Sequence, residues 1–105
     1  MNRPSFEEST LNSLRQMACE EALALLAIHC KADPTFHPVK HATTRRWHAC
    51  TAYGEYELLT TGPKWFDTRA KKGGGGAIDL AMHVLGLSFT EAVQILIERR
   101  QRNND

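Results

Sequence analysis

Six residues between positions 29 and 50 carry side chains able to ligate metal or attack a substrate: His29, Cys30, His37, His41, His48 and Cys50. Zinc is usually held by close pairs such as C-x2-C or H-x3-H. His37-x3-His41 has that spacing, and His48-x-Cys50 is a poorer pair. The first pair falls in a stretch without periodicity, so no helix presents both rings on one face. The expectation is therefore solvated loop histidines beside small buried cysteines, with no metal and no cofactor. A residual zinc or enzymatic role for His37, His41, His48 and Cys50 stays open as a rival reading. A Cys50–His48 nucleophile has no third residue to orient it. Glu55 and Glu57 share a strand face by alternation, which a solvated hairpin explains. No catalytic constellation emerges, and the chain is expected not to be an enzyme.

The run Lys71-Lys72-Gly73-Gly74-Gly75-Gly76 raises the question of a phosphate cradle. A glycine-rich turn that opens a helix can present N–H groups to an anion. The phosphate-loop pattern needs Gly-Lys-Ser/Thr entering the helix. Here the lysines precede the glycines, and Ala77-Ile78-Asp79 follows them. A connector into a helix is the expectation instead.

A stronger signal is the interleaving of rings with cations. Arg45, Arg46 and Trp47 form one group, Lys64 and Trp65 a second, and Arg69, Lys71 and Lys72 follow. Single-stranded nucleic acid is bound by a cationic groove with stacking faces. The same rings can equally form the small core of a sheet. Charge distribution agrees with an anionic partner. Residues 39–76 carry seven basic and three acidic side chains, a net of +4. That leaves −3 for the two ends of a chain whose total is +1.

These residues must be positioned by one modest domain, since the chain has 105 residues. Its three cysteines, Cys19, Cys30 and Cys50, are odd in number and irregularly spaced, which suggests a reducing, cytoplasmic setting. The longest apolar run, Ala22 to Ile28, is too short to span a bilayer, so no membrane partner is expected. Ser5 and Glu8 fit a capping box. Leu11, Leu14, Ala18, Ala22, Leu25 and Leu26 then recur at helical steps. This predicts a long N-terminal helix over about 6–32, or two helices with a break near Gln16, ended by Asp33-Pro34. Residues 35–44 read as a loop. A small antiparallel sheet of two or three strands is expected over 45–68, with turns at Gly54 and at Thr61-Gly62-Pro63-Lys64. A helical hairpin over 77–101 completes an α+β fold. Gly86 stops its first helix, and Ser88 with Glu91 forms a capping box for its second.

From Lys64 to Val93 the chain resembles the second half of the zinc-binding domain of bacterial DnaG-type primases. Ala77-Ile78-Asp79-Leu80 and Gly86-Leu87-Ser88-Phe89-Thr90-Glu91-Ala92-Val93 carry the likeness, which covers about residues 46–98. It is also similar to a variant of that domain on plasmids and other mobile elements, in which Trp-aromatic-Asp and a Lys-Gly-Gly-Gly turn replace the zinc knuckle. Laid on the family's four ligand places, this chain offers Cys50, Tyr53, Asp67 and Ala70. Three ligands are absent, and a metal-free descendant is what the resemblance implies. It also implies a role in holding a single-stranded or template DNA during mobile-element replication or transfer. Arg45, Arg46, Trp47, Lys64, Trp65, Arg69, Lys71 and Lys72 are then the candidate contacts. The alternative is an adaptor whose helical stripe Leu11, Leu14, Ala18 and Leu25 docks on a polymerase, primase or helicase.

Overall fold

The computed structural model describes residues 6–103. Its elements run α1 (Glu8–Gln16), α2 (Cys19–Leu26), β1 (His29–Ala32), β2 (Arg45–Cys50), β3 (Glu55–Thr61), β4 (Lys64–Asp67), β5 (Lys72–Gly75), α3 (Ala77–Leu85) and α4 (Phe89–Asn103). The strands form one antiparallel meander in the order β1-β2-β3-β4-β5.

The α+β class stands, but the N-terminal half differs from the expectation in two ways. The long helix is two short ones, the alternative with a break near Gln16, which falls at Met17–Ala18. Met17 and Ala18 take extended backbone angles between them, so the stripe turns a corner and Leu14, Cys19, Ala22, Leu23 and Leu26 all reach the core. The corner is held from outside the helices: Cys19 N–H donates to the Gly62 carbonyl at 2.8 Å, and the Cys19 thiol to the Pro63 carbonyl at 3.2 Å. Burial pushes that thiol up to about 12, so it stays protonated as a small apolar filler. The second difference is His29–Ala32, which is an edge strand rather than the helix end. Ile28 N–H donates to the Cys50 carbonyl at 2.8 Å, and the segment then pairs with β2. The Ser5 half of the first capping box lies outside the described residues.

The glycine run corrects a third expectation. It is a strand, not a turn: Gly73, Gly74 and Gly75 pair with Phe66, Trp65 and Lys64. The turn lies earlier, at Thr68–Lys71, where Lys71 has φ 55°. The glycines serve the rings opposite them. A Cβ on Gly74 would stand 2.7 Å from the Trp65 ring, and one on Gly73 would stand 3.1 Å from the Phe66 ring. Gly76, at φ 89°, then admits the chain to α3; a Cβ there would stand 3.2 Å from the Arg15 carbonyl oxygen. The sheet therefore has five strands where two or three were expected.

The C-terminal half agrees with its local signals. α3 ends at Gly86 in the left-handed region, at φ 63°. Ser88 N–H donates to Glu91 Oε1 at 3.0 Å, and Glu91 N–H to Ser88 Oγ at 3.2 Å, closing the capping box. The two helices meet at 107°. Among the described residues no single helix is long and apolar enough to cross a membrane.

All four helices lie on one side of the meander. Strand alternation sends Ala49, Leu58 and Trp65 into the core they share with Leu80, Val84, Val93 and Leu96. The opposite side of the sheet carries no helix, and its residues are half-buried or exposed.

Candidate nucleic-acid interface

Alternation divides the eight expected contact residues between the two sides of the sheet. Arg46 and Lys64 point to the open face, and Arg69 reaches it from the turn after β4, where its guanidinium lies 3.5 Å from Glu57. Trp47, Trp65 and Lys72 point the other way. Trp65 is 4% exposed and stacks on His83 with ring centroids 4.8 Å apart. It cannot present a face to a base in this fold, because its ring is core. Its Nε1–H has no partner among the described residues. Trp47 is half-buried against the core and donates from Nε1 to Thr60 Oγ1 at 3.0 Å. Arg45, at the strand end, donates to the carbonyls of Ala42 and Thr44. Lys71 sits in the tight turn. Lys72, on the last strand, lines a cleft on the helix side with Asp67 and Asp79.

The aromatic residue that the open face does present is Phe66, 42% exposed. It is the register neighbour of Leu59 on β3. The 33–44 loop runs alongside, shaped at its start by Asp33, whose Oδ1 accepts the Thr35 N–H at 2.9 Å and hydroxyl at 2.6 Å. At its end Thr44 Oγ1 shares a 2.7 Å hydrogen bond with Thr61 Oγ1, which pins the loop to β3. Between loop and sheet lies a groove of about 440 Å³. Phe36, Val39, Leu59 and Phe66 make it apolar, while Lys40, His41 and Lys64 stand on its walls. Phe66 and Phe36 were not singled out in the sequence. The available signal was the alternation in Lys64-Trp65-Phe66-Asp67, which forces one ring in and the other out.

Further along the open face, Glu57 gathers three cationic or imidazole groups. His48 Nδ1 lies 2.9 Å from its Oε1, Arg69 Nη2 3.5 Å from the same atom, and Arg46 Nε 3.6 Å from Oε2. The His48 hydrogen bond and these positive neighbours hold the Glu57 carboxyl below its ordinary range, against the smaller effect of burial. Glu57 therefore fixes the directions of two arginines without neutralising both.

Beneath the sheet a second carboxylate is enclosed. Asp67 Oδ1 accepts the N–H groups of Arg69 and Ala70 at 3.0 Å each, and Oδ2 meets His83 Nε2 at 2.7 Å. Burial pushes the Asp67 carboxyl up. The bonds from Ala70, His83 and Arg69 together outweigh it and hold the group below its ordinary range. The Asp67 carboxylate thus closes the turn after β4 through two backbone N–H groups.

The apolar stripe of the N-terminal helices is covered in part by the chain itself. Leu14 is fully buried, and Leu11 and Leu25 pack against the core. Leu11, Ala18 and Leu25 stay half-buried, so the surface named by the adaptor reading is reduced. Glu91, Gln94 and Glu98 line the exposed side of α4, Arg99 donates to the Leu25 carbonyl at 2.9 Å, and Arg102 pairs with Glu98.

No protein-family model, curated protein or solved structure matches this chain. The primase-like resemblance therefore rests on the quoted residues alone.

Proposed function

We propose that the open sheet face and its groove bind single-stranded nucleic acid, template DNA above all, without catalysis. The observation that carries this reading is the juxtaposition of an exposed ring with cations. Phe66 and Phe36 line an apolar groove with Lys40 and Lys64 on its walls, and Arg46 and Arg69 continue along the same face. A base entering the groove stacks on a phenyl ring for about 1–3 kcal/mol, while the cations neutralise the flanking phosphates. The resemblance supports replication or transfer of a plasmid or other mobile element as the setting, with partner replication proteins nearby.

The test is a titration of a fluorescently labelled single-stranded oligonucleotide at several salt concentrations. Affinity should fall linearly on a log–log plot as salt rises. Lys64→Ala and Arg69→Ala should each reduce the slope by about one, while Phe66→Ala weakens binding at every salt concentration. Absence of binding at low salt, or binding unchanged by all three substitutions, sinks the reading. Running the same titration with RNA of equal sequence compares the two nucleic acids.

A further inference from the structure

The end of the open face opposite the groove holds three donor atoms of different chemistry. His48 Nε2, Cys50 Sγ and a Glu55 carboxylate oxygen all lie within 4.8 Å of one another. Their separations are 3.6 Å from nitrogen to sulfur, 3.4 Å from sulfur to oxygen and 3.8 Å from nitrogen to oxygen. A tetrahedral zinc ion with bonds of about 2.0–2.3 Å to nitrogen, oxygen and sulfur has donor–donor edges of roughly 3.3–3.6 Å. Two of the three edges fall in that range, and the nitrogen–oxygen edge must shorten by a few tenths of an ångström to complete one face of such a tetrahedron.

Sheet register produces this arrangement. His48 and Cys50 are two apart on β2, so both project to one side. Glu55 is the cross-strand partner of Cys50, and Glu57 is the partner of His48. The imidazole is also oriented as a ligand needs. Its Nδ1 is engaged by Glu57 at 2.9 Å, leaving Nε2 directed at the cluster, and Glu57 is itself held by Arg46 and Arg69. Metal-binding histidines characteristically carry such a carboxylate on the second nitrogen. On the other flank, β1 sets His29 directly opposite Cys50 on the same face, and His29 and His48 border one groove.

We propose that His48, Cys50 and Glu55 form a zinc site, with His29, outside the present cluster, turning in from the neighbouring strand as the fourth ligand. Binding replaces the Cys50 thiol proton, which leaves to solvent, by a zinc–sulfur bond. The set shares only Cys50 with the four places of the primase family, since the Asp67 side chain points to the helix side of the sheet, where it meets His83. A thiolate and a carboxylate cancel the charge of the ion, so loading removes the negative charge of Glu55 from the open face. The site stands independently of the nucleic-acid reading.

The test uses the full chain, stripped with a chelator and titrated with zinc against a chromophoric competitor, and in parallel with cobalt. One equivalent of each ion should bind. The cobalt form should show the visible bands of a tetrahedral site and a thiolate charge-transfer band. Cys50→Ser should remove the charge-transfer band. Glu57→Gln should keep the band and lower zinc affinity by about 10–100-fold. His48→Ala should lower it further, and His29→Ala should alter the cobalt spectrum. Circular dichroism of each variant should match the parent, because these side chains lie on the helix-free face. No saturable binding by the parent chain overturns the site. So does binding that survives both Cys50→Ser and His48→Ala, or that is lost with His37→Ala/His41→Ala instead. An unchanged cobalt spectrum in His29→Ala removes His29 from the set.

Discussion

His48 and His83 each meet a carboxylate, at 2.9 and 2.7 Å, on opposite sides of one sheet. Beneath the sheet, the His83–Asp67 pair is closed on itself. Asp67 is 3% exposed, it accepts two backbone N–H groups besides the imidazole, and the His83 ring lies between Trp65 and Tyr56. On the open face, the His48–Glu57 pair is solvated, and the second nitrogen of His48 looks at Cys50 and Glu55. The same two residue types thus do different work. Enclosure makes one pair a structural tie between β4 and α3, and exposure leaves the other able to take a ligand.

The comparison breaks most readily at Asp67. Asp67→Ala should lower unfolding free energy by about 3 kcal/mol, since it orphans two turn N–H groups and leaves the largely buried His83 side chain without its carboxylate. Glu57→Ala, read in the same urea titration, should cost less than about 1 kcal/mol. Equal losses would mean that the two pairs do not differ as described.

Gly74→Ala comes next, because it tests the packing that encloses the buried pair. A methyl group 2.7 Å from the Trp65 ring must push that ring against His83, at an expected cost of about 1–3 kcal/mol. Gly75→Ala, with nothing within 4 Å of the added carbon, should be far milder. Thermal melts of the two variants give the ordering.

A smaller effect separates the pairs by pH. The folded-state value of Asp67 is lowered, so its stabilisation is fully present above the unfolded-state value of about 3.9 and is lost as pH falls through the lowered value. Stability of the parent chain should therefore fall more steeply below that point than stability of Asp67→Asn. Urea midpoints followed from neutral to acid pH check this, and parallel curves would remove Asp67 from the acid response.

The smallest expected effect on stability is that of Phe66→Ala. Its ring is 42% exposed, and its removal should shift the urea midpoint much less than Trp65→Ala. Oligonucleotide affinity should respond in the opposite order, falling with Phe66→Ala by about 1–3 kcal/mol.

Elements set by neighbours in sequence were legible. α3, its Gly86 stop, the Ser88–Glu91 box and the turns at Gly54 and Gly62 follow from residues a few positions apart, and each lies where those residues point. The N-terminal region was harder. A period of three to four continues through Leu25 and Leu26; one long helix and a break near Gln16 both fit it, and nothing local chooses between them. Nor does His29-Cys30-Lys31-Ala32 have notable strand propensity. The contacts that decide both come from Gly62, Pro63 and Cys50, far along the chain.

The candidate site divides in the same way. The sequence by itself determined that cations and rings cluster between Arg45 and Lys72, and that a helix follows the glycines. Spacing also hinted that His48 and Cys50 share a strand face. Only the tertiary structure decided which ring is core and which is surface. Strand alternation allows Trp65 and Phe66 either assignment until the helices cover one side of the sheet. It likewise decided that the first three glycines of the run form a strand, because glycine has no β propensity of its own. Its place comes from the rings of Trp65 and Phe66, which need a partner strand without side chains.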